Sequence, residues 1–206
     1  MRMLLALVAL VATGPSVTKL ILKPAQVGKG YVLLERRDGV GVVNTVTLDL
    51  CGNTAYPSEK LRTHRLQVNY LKRGTMVGLS NEVVTYKPSG AKQAMHEVLQ
   101  HAQHCPKTPI PTGQAGLPPL TFTITSIKDG KLLQGYVAVR VRVTGIVKGK
   151  RVDETSYAVY QRFGNVLSGT YSFGPNTRAQ QRFALHAAEE SAQNLRRGGP
   201  PSGPIA

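Results

Sequence analysis

The chain has 206 residues, 41% hydrophobic and 18% charged, which suits one domain with a sizeable core better than two small domains. Lys and Arg number 26 against 11 Asp and Glu, and the resulting net charge of +15 favours anionic partners such as nucleic acid, acidic lipid or acidic cell-wall polymer. The two cysteines sit in no CxxC and no Cys/His zinc spacing, which excludes the common zinc modules.

In chain order, Arg2 precedes an apolar run from Leu4 to Ala12, and the small or turn-forming residues Thr13, Gly14, Pro15 and Ser16 follow. This layout predicts a secretory signal over residues 1–16, cut near Gly14 to Val17. The run is far below the roughly 20 residues that span a bilayer, so it does not read as an anchor; the alternative is a buried N-terminal strand or helix. Residues 17–30 read as a connecting segment because Pro24, Gly28 and Gly30 interrupt any long element. One domain is expected over 31–197, followed by a disordered Gly/Pro-rich tail at 198–206.

Short aliphatic runs predict strands at Tyr31 to Glu35 and Val46 to Leu50, with Cys51 at a strand end. Leu61 to Leu71 alternates apolar and polar residues, and Met76 to Tyr86 continues across the Lys72-Arg-Gly-Thr75 turn as a hairpin. Ser89 reads as the cap of a helix whose apolar positions are Ala91, Ala94, Met95, Val98, Leu99 and Ala102. Cys105 continues that face and Pro106 ends the helix. With an export signal, the cysteines read as one structural Cys51–Cys105 disulfide, worth about 4 kcal/mol in the chain-entropy picture. The proline-rich stretch from Lys107 to Leu120 reads as an ordered loop or hinge.

Val137, Val139, Val141 and Val143 alternate with Ala138, Arg140, Arg142 and Thr144, the sharpest strand signal in the chain. Turns at Lys148-Gly-Lys150 and Phe163-Gly-Asn165 lead to strands at Val152 to Arg162 and Val166 to Phe173, completing a meander. Asn176 and Thr177 cap a last helix with the apolar stripe Ala179, Phe183, Ala184, Ala187, Ala188, Ala192 and Leu195. The expected fold is α+β: an antiparallel sheet of about six to seven strands with two amphipathic helices on one face and the other face open.

No GxSxG, GxxxxGK[ST], HExxH or DxDxDG motif occurs, and the adjacent acid pairs Asp153-Glu154 and Glu189-Glu190 do not converge on one point. No enzyme activity and no cofactor are therefore expected; for a hydrolase, His64 with Ser58 would be the least poor pair. His101 and His104 share a helical face at i, i+3, but they lie among polar residues without a third ligand and are weak metal candidates. The basic residues are dispersed. Arg140 and Arg142 share one strand face, and with Arg62 or Arg65 from the other hairpin they would line a basic concavity, with Tyr136 and Tyr160 offering stacking surface. Nucleic acid is not expected, since no dense basic stripe with aromatic pairs appears.

At Val46-Thr-Leu-Asp-Leu-Cys-Gly52, Tyr56-Pro-Ser-Glu59 and Leu79-Ser-Asn-Glu-Val-Val84, the chain resembles exported actinobacterial proteins similar to the PknH-type extracellular sensor domain of mycobacterial Ser/Thr kinases. Gly135 to Arg142, Tyr160 to Gly169 and the closing Ala-rich helix extend the likeness over most of Gly28 to Arg197. The resemblance implies an α+β domain with a cleft for an external ligand and no catalytic residues. Such domains usually hold two disulfides, where the two cysteines here allow one. The expected function is an exported, non-enzymatic ligand-binding or sensor-like domain of the bacterial envelope, for an unknown small or polymeric anionic ligand. It would be peripheral to membrane or cell wall at most. The rival is a structural or adhesive envelope protein that holds anionic polymer through net charge.

Overall fold

The computed structural model describes residues 16–39, 50–51, 56–112 and 116–198. Runs of β-branched and aromatic residues bounded by turns give β1 (Tyr31–Gly39), β2 (Arg62–Lys72), β3 (Gly78–Tyr86), β4 (Thr121–Ser126), β5 (Val137–Val147), β6 (Lys150–Phe163) and β7 (Val166–Gly174). They form one antiparallel seven-stranded sheet in the order β1-β2-β3-β7-β6-β5-β4. One meander, β1 to β3, meets a second, β4 to β7, where β3 pairs with β7. The β5–β6 hairpin closes on Lys148 and Gly149, both at positive φ (50° and 75°), a two-residue turn whose twist matches the flanking strands.

The described helices are α1 (Val17–Leu20), α2 (Pro24–Val27), α3 (Gly90–His104) and α4 (Arg178–Gly198), with a 3₁₀ turn at Pro57–Leu61. Thr177 Oγ accepts the N–H of Gln180 at 3.1 Å and so caps α4, as expected. Ser89 differs from expectation. It takes a left-handed conformation at φ 70° and makes no side-chain cap; its carbonyl accepts the Gln93 N–H at 2.9 Å instead.

The two long helices lie on opposite faces of the sheet, which corrects the expectation that both share one. Ala91, Ala94, Met95 and Val98 of α3 cluster with Val84, Leu167, Ala158, Tyr160, Val137, Val139 and Val141. The alternate residues Leu66, Val68, Tyr70, Leu79, Val83 and Val166 instead cluster with Ala187, Ala192 and Leu195 of α4. Successive strand residues point to opposite faces, so the two sets define an α3 face and an α4 face. The central strands β3 and β7 are accordingly buried along nearly their whole length. Within α4 the buried position near the start is Gln180 rather than Ala179, because its amide donates to the Ser172 hydroxyl and the Phe173 carbonyl.

The segment expected to connect is part of the core. Val17, Leu20, Ile21, Leu22 and Val27 are buried beside α4 and β2. The fully buried Asn81 fixes them: its Oδ1 accepts the Leu22 N–H at 2.8 Å and its amide donates to the Gly169 carbonyl at 2.9 Å. Tyr70 donates its hydroxyl to the Leu22 carbonyl at 2.8 Å. The sheet gains β4, a strand within the stretch of sequence after the proline-rich loop, while the expected strand at 46–50 lies outside the described residues except Leu50. The expected signal (except Ser16) and the tail after Gly198 also lie outside them. No described helix is long and apolar enough to cross a membrane.

Candidate functional site

Strand parity decides where the arginines go. Arg140 of β5 pairs with Tyr157, which pairs with Ser172, which pairs with Leu79 on the α4 face. Arg65 of β2 pairs with Val84, and Val84 with Leu167, on the α3 face. Arg140 and Arg142 therefore point away from Arg65, and the expected concavity joining the two hairpins does not form. Arg65 is instead an interior residue, 5% exposed, ion-paired with Glu82. Arg62 pairs with Glu59 at 2.8 Å and is largely buried.

The expected tyrosines also have other duties. Tyr160 is fully buried and meets Tyr171 edge-on, with ring centroids 5.5 Å apart, so it offers no stacking surface to a ligand. Tyr136 packs against the cluster of Leu132, Ala138, Val159 and Ala188, and its hydroxyl accepts the Asp129 N–H at 2.6 Å, bracing the loop before β5. His101 stacks on Tyr56 at 4.6 Å, and His104 Nδ1 faces the Gln100 carbonyl at 2.9 Å, so the two rings are engaged separately. Among the described residues no group of three His, Cys, Asp or Glu side chains is placed to hold a metal. Ser58 Oγ donates to Glu97 at 2.5 Å, whereas His64 Nε2 contacts Asp38 at 2.7 Å.

The arginines of β5 line a cavity of about 360 Å³ with Asp153, Thr155 and Asn176. It opens on the α4 face, where β5 and β6 run past the start of α4. Asp153 accepts from Arg142 Nε and Nη2 at 2.7 and 2.6 Å, a bidentate pair on the rim. Arg142 holds this carboxyl below its ordinary range, so it stays ionised at neutral pH. Arg140 is half-buried and has no ion-pair partner among the described residues. At the cavity floor Thr155 is buried, and Tyr157 donates a long hydrogen bond, 3.4 Å, to the Asn176 side-chain carbonyl. One guanidinium compensated by Asp153, one uncompensated, a hydroxyl and an amide make a set suited to a small anion. The sequence pattern marked both arginines; Asp153, Thr155 and Asn176 carried no period or motif that would have gathered them.

Cys51 and Cys105 form a disulfide, with Cα atoms 5.8 Å apart, which ties the end of α3 to the segment before the 3₁₀ turn. No known protein family matches the chain, and no curated relative does. Its fold is similar to that of the extracellular domain of PknH from Mycobacterium tuberculosis, with a TM-score of 0.58 over 85% of this chain and 94% of that one. The identity is 13%, so the likeness is one of fold.

Proposed function

We propose that this chain is an exported, non-enzymatic ligand-binding module with a sensor-like fold, and that it takes a small anion, a carboxylate or phosphate group, in the Arg140 cavity. The observation that carries the reading is Arg140, a half-buried cation lining a cavity without a carboxylate of its own. A guanidinium so placed keeps its donors available for an incoming anion. The extracytoplasmic setting is supported by the Cys51–Cys105 disulfide, which oxidising compartments favour, by the leader-like residues 1–16, and by the fold shared with the extracellular domain of PknH. Native mass spectrometry of the protein recovered from its host's envelope fraction tests it. A processed, oxidised chain should carry an acidic adduct that Arg140→Ala loses while remaining folded. An adduct of equal abundance on Arg140→Ala would remove the cavity from consideration, and a full-length reduced chain confined to cytosol would remove export.

A further inference from the structure

The α3 face hides a second cluster of charges, unrelated to the Arg140 cavity. At its centre Glu82 of β3 is 1% exposed. Its Oε2 accepts from Arg65 Nε at 2.7 Å, whereas its Oε1, also buried, has no donor among the described residues. Facing it are Arg62 and Arg65 from β2, Glu59 from the 3₁₀ turn, Tyr171 from β7 and, beyond these, Tyr56, Tyr86 of β3, Tyr160 of β6 and Glu97 of α3. Glu97 is fully engaged, taking the Ser58 N–H and hydroxyl and the Gln93 amide. Among the described residues, fully ionised Glu59, Glu82 and Glu97 face Arg62 and Arg65, so one negative charge is in excess there. An excess charge is removed where it costs most, at the carboxyl that is buried and short of donors. Glu59 also buries an oxygen, Oε1, without a donor among the described residues, and burial raises its carboxyl too, but it keeps a fifth of its side chain in contact with solvent and sits against Arg62. Glu82 has its arginine, Arg65, but almost no contact with solvent.

We propose that Glu82 is a proton-binding site, neutral in mildly acidic surroundings, whose ionisation as pH rises weakens the packing of α3 and the Pro57–Leu61 turn against the sheet. A neutral Glu82 balances the cluster and supplies an O–H donor in a region where, among the described residues, Tyr86 also buries a hydroxyl without a partner. Burial drives the carboxyl up from 4.5 to about 7, with Arg65 opposing and Glu59 assisting. The sign follows from linkage. Below pH 4.5 both folded and unfolded chains hold the proton. Between 4.5 and about 7 only the folded chain holds it, so stability falls with rising pH, by up to about tenfold in the folding equilibrium per pH unit, and levels off above. Other groups titrate too, so the quantity to read is the difference between the protein and Glu82→Gln, which mimics the neutral carboxyl.

Urea unfolding of the full chain at pH 5, 6, 7 and 8 should show the folding equilibrium of the unsubstituted protein falling about a hundredfold further than that of Glu82→Gln across the series. The Glu82 carboxyl ¹³C resonance of the unsubstituted protein should titrate with a midpoint near 7. Parallel pH profiles for the two proteins, or a Glu82 resonance already ionised at pH 5, would overturn the proposal by showing that Arg65 holds the charge. The resonance decides the matter alone if Glu82→Gln does not fold.

Discussion

At the Arg140 cavity the neighbouring pair, Arg142 and Asp153, governs whether an anion is welcome. Both side chains are largely solvated, so their mutual attraction contributes little to folding. Their effect on a ligand is larger: with Arg142 present, Asp153 presents a compensated charge to the cavity, and without it a bare carboxylate. We expect Arg142→Ala to leave the urea midpoint nearly unchanged while weakening inorganic phosphate binding on the order of tenfold. Adding Asp153→Ala should restore most of that loss, and Arg140→Ala should not be rescued by it. Isothermal titration of the four proteins reads this directly; a double variant no better than Arg142→Ala would mean that Arg142 contacts the anion itself. The arginines were legible in the sequence as alternate residues of one strand. Their separation from Arg65 was not, because parity fixes the face of a residue only within its own strand, and relating β5 to β2 requires the whole chain of pairings through β6, β7 and β3.

Elements show the same division between local and remote information. Hairpin turns and strand alternation were readable because their causes lie within a few residues. The placement of α3 and α4 on opposite faces was not, and the sign of it in the sequence is subtle: Leu79, Ser80, Asn81, Glu82, Val83 and Val84 do not alternate, since β3 is covered on both sides. The polar members of that run are buried because each finds a partner, as Asn81 does in Leu22 of the N-terminal segment and Gly169 of β7. The same reasoning explains why 17–30 looked like a connector: its apolar residues are too few to show a period, yet Val17, Leu20 and Leu22 complete the α4 layer. α3 is fastened at its end by Cys105. The bridge closes a separation of 54 residues, so replacing both cysteines with serine should cost about 2–5 kcal/mol in denaturant unfolding. Thermal melting should fall correspondingly, by about 2–4 °C per kcal/mol for a chain of this size. An unchanged midpoint would mean that packing alone holds α3 in place.

For the whole molecule, the open question is whether binding resides in one cavity or in the charge of the entire surface. The seven-stranded fold allows either, since fold alone does not dictate function. The +15 charge predicts attraction to any polyanion, including acidic envelope polymer, through many weakly held cations. Such binding is screened over a distance of about 10 Å at 0.1 M salt, and no single residue commands it. A cavity behaves differently, because Arg140 is half-buried and its partner would be enclosed with it. Two ligands, inorganic phosphate and a long acidic polysaccharide, therefore separate the modes when titrated against the protein and Arg140→Ala at 0.05 and 0.5 M NaCl. We expect the polymer to lose its affinity with salt and to be indifferent to Arg140→Ala, and phosphate binding to disappear with Arg140→Ala at either salt concentration. Phosphate affinity that follows salt alone and ignores Arg140 would assign binding to net charge, and with it the adhesive role rather than the sensor-like one.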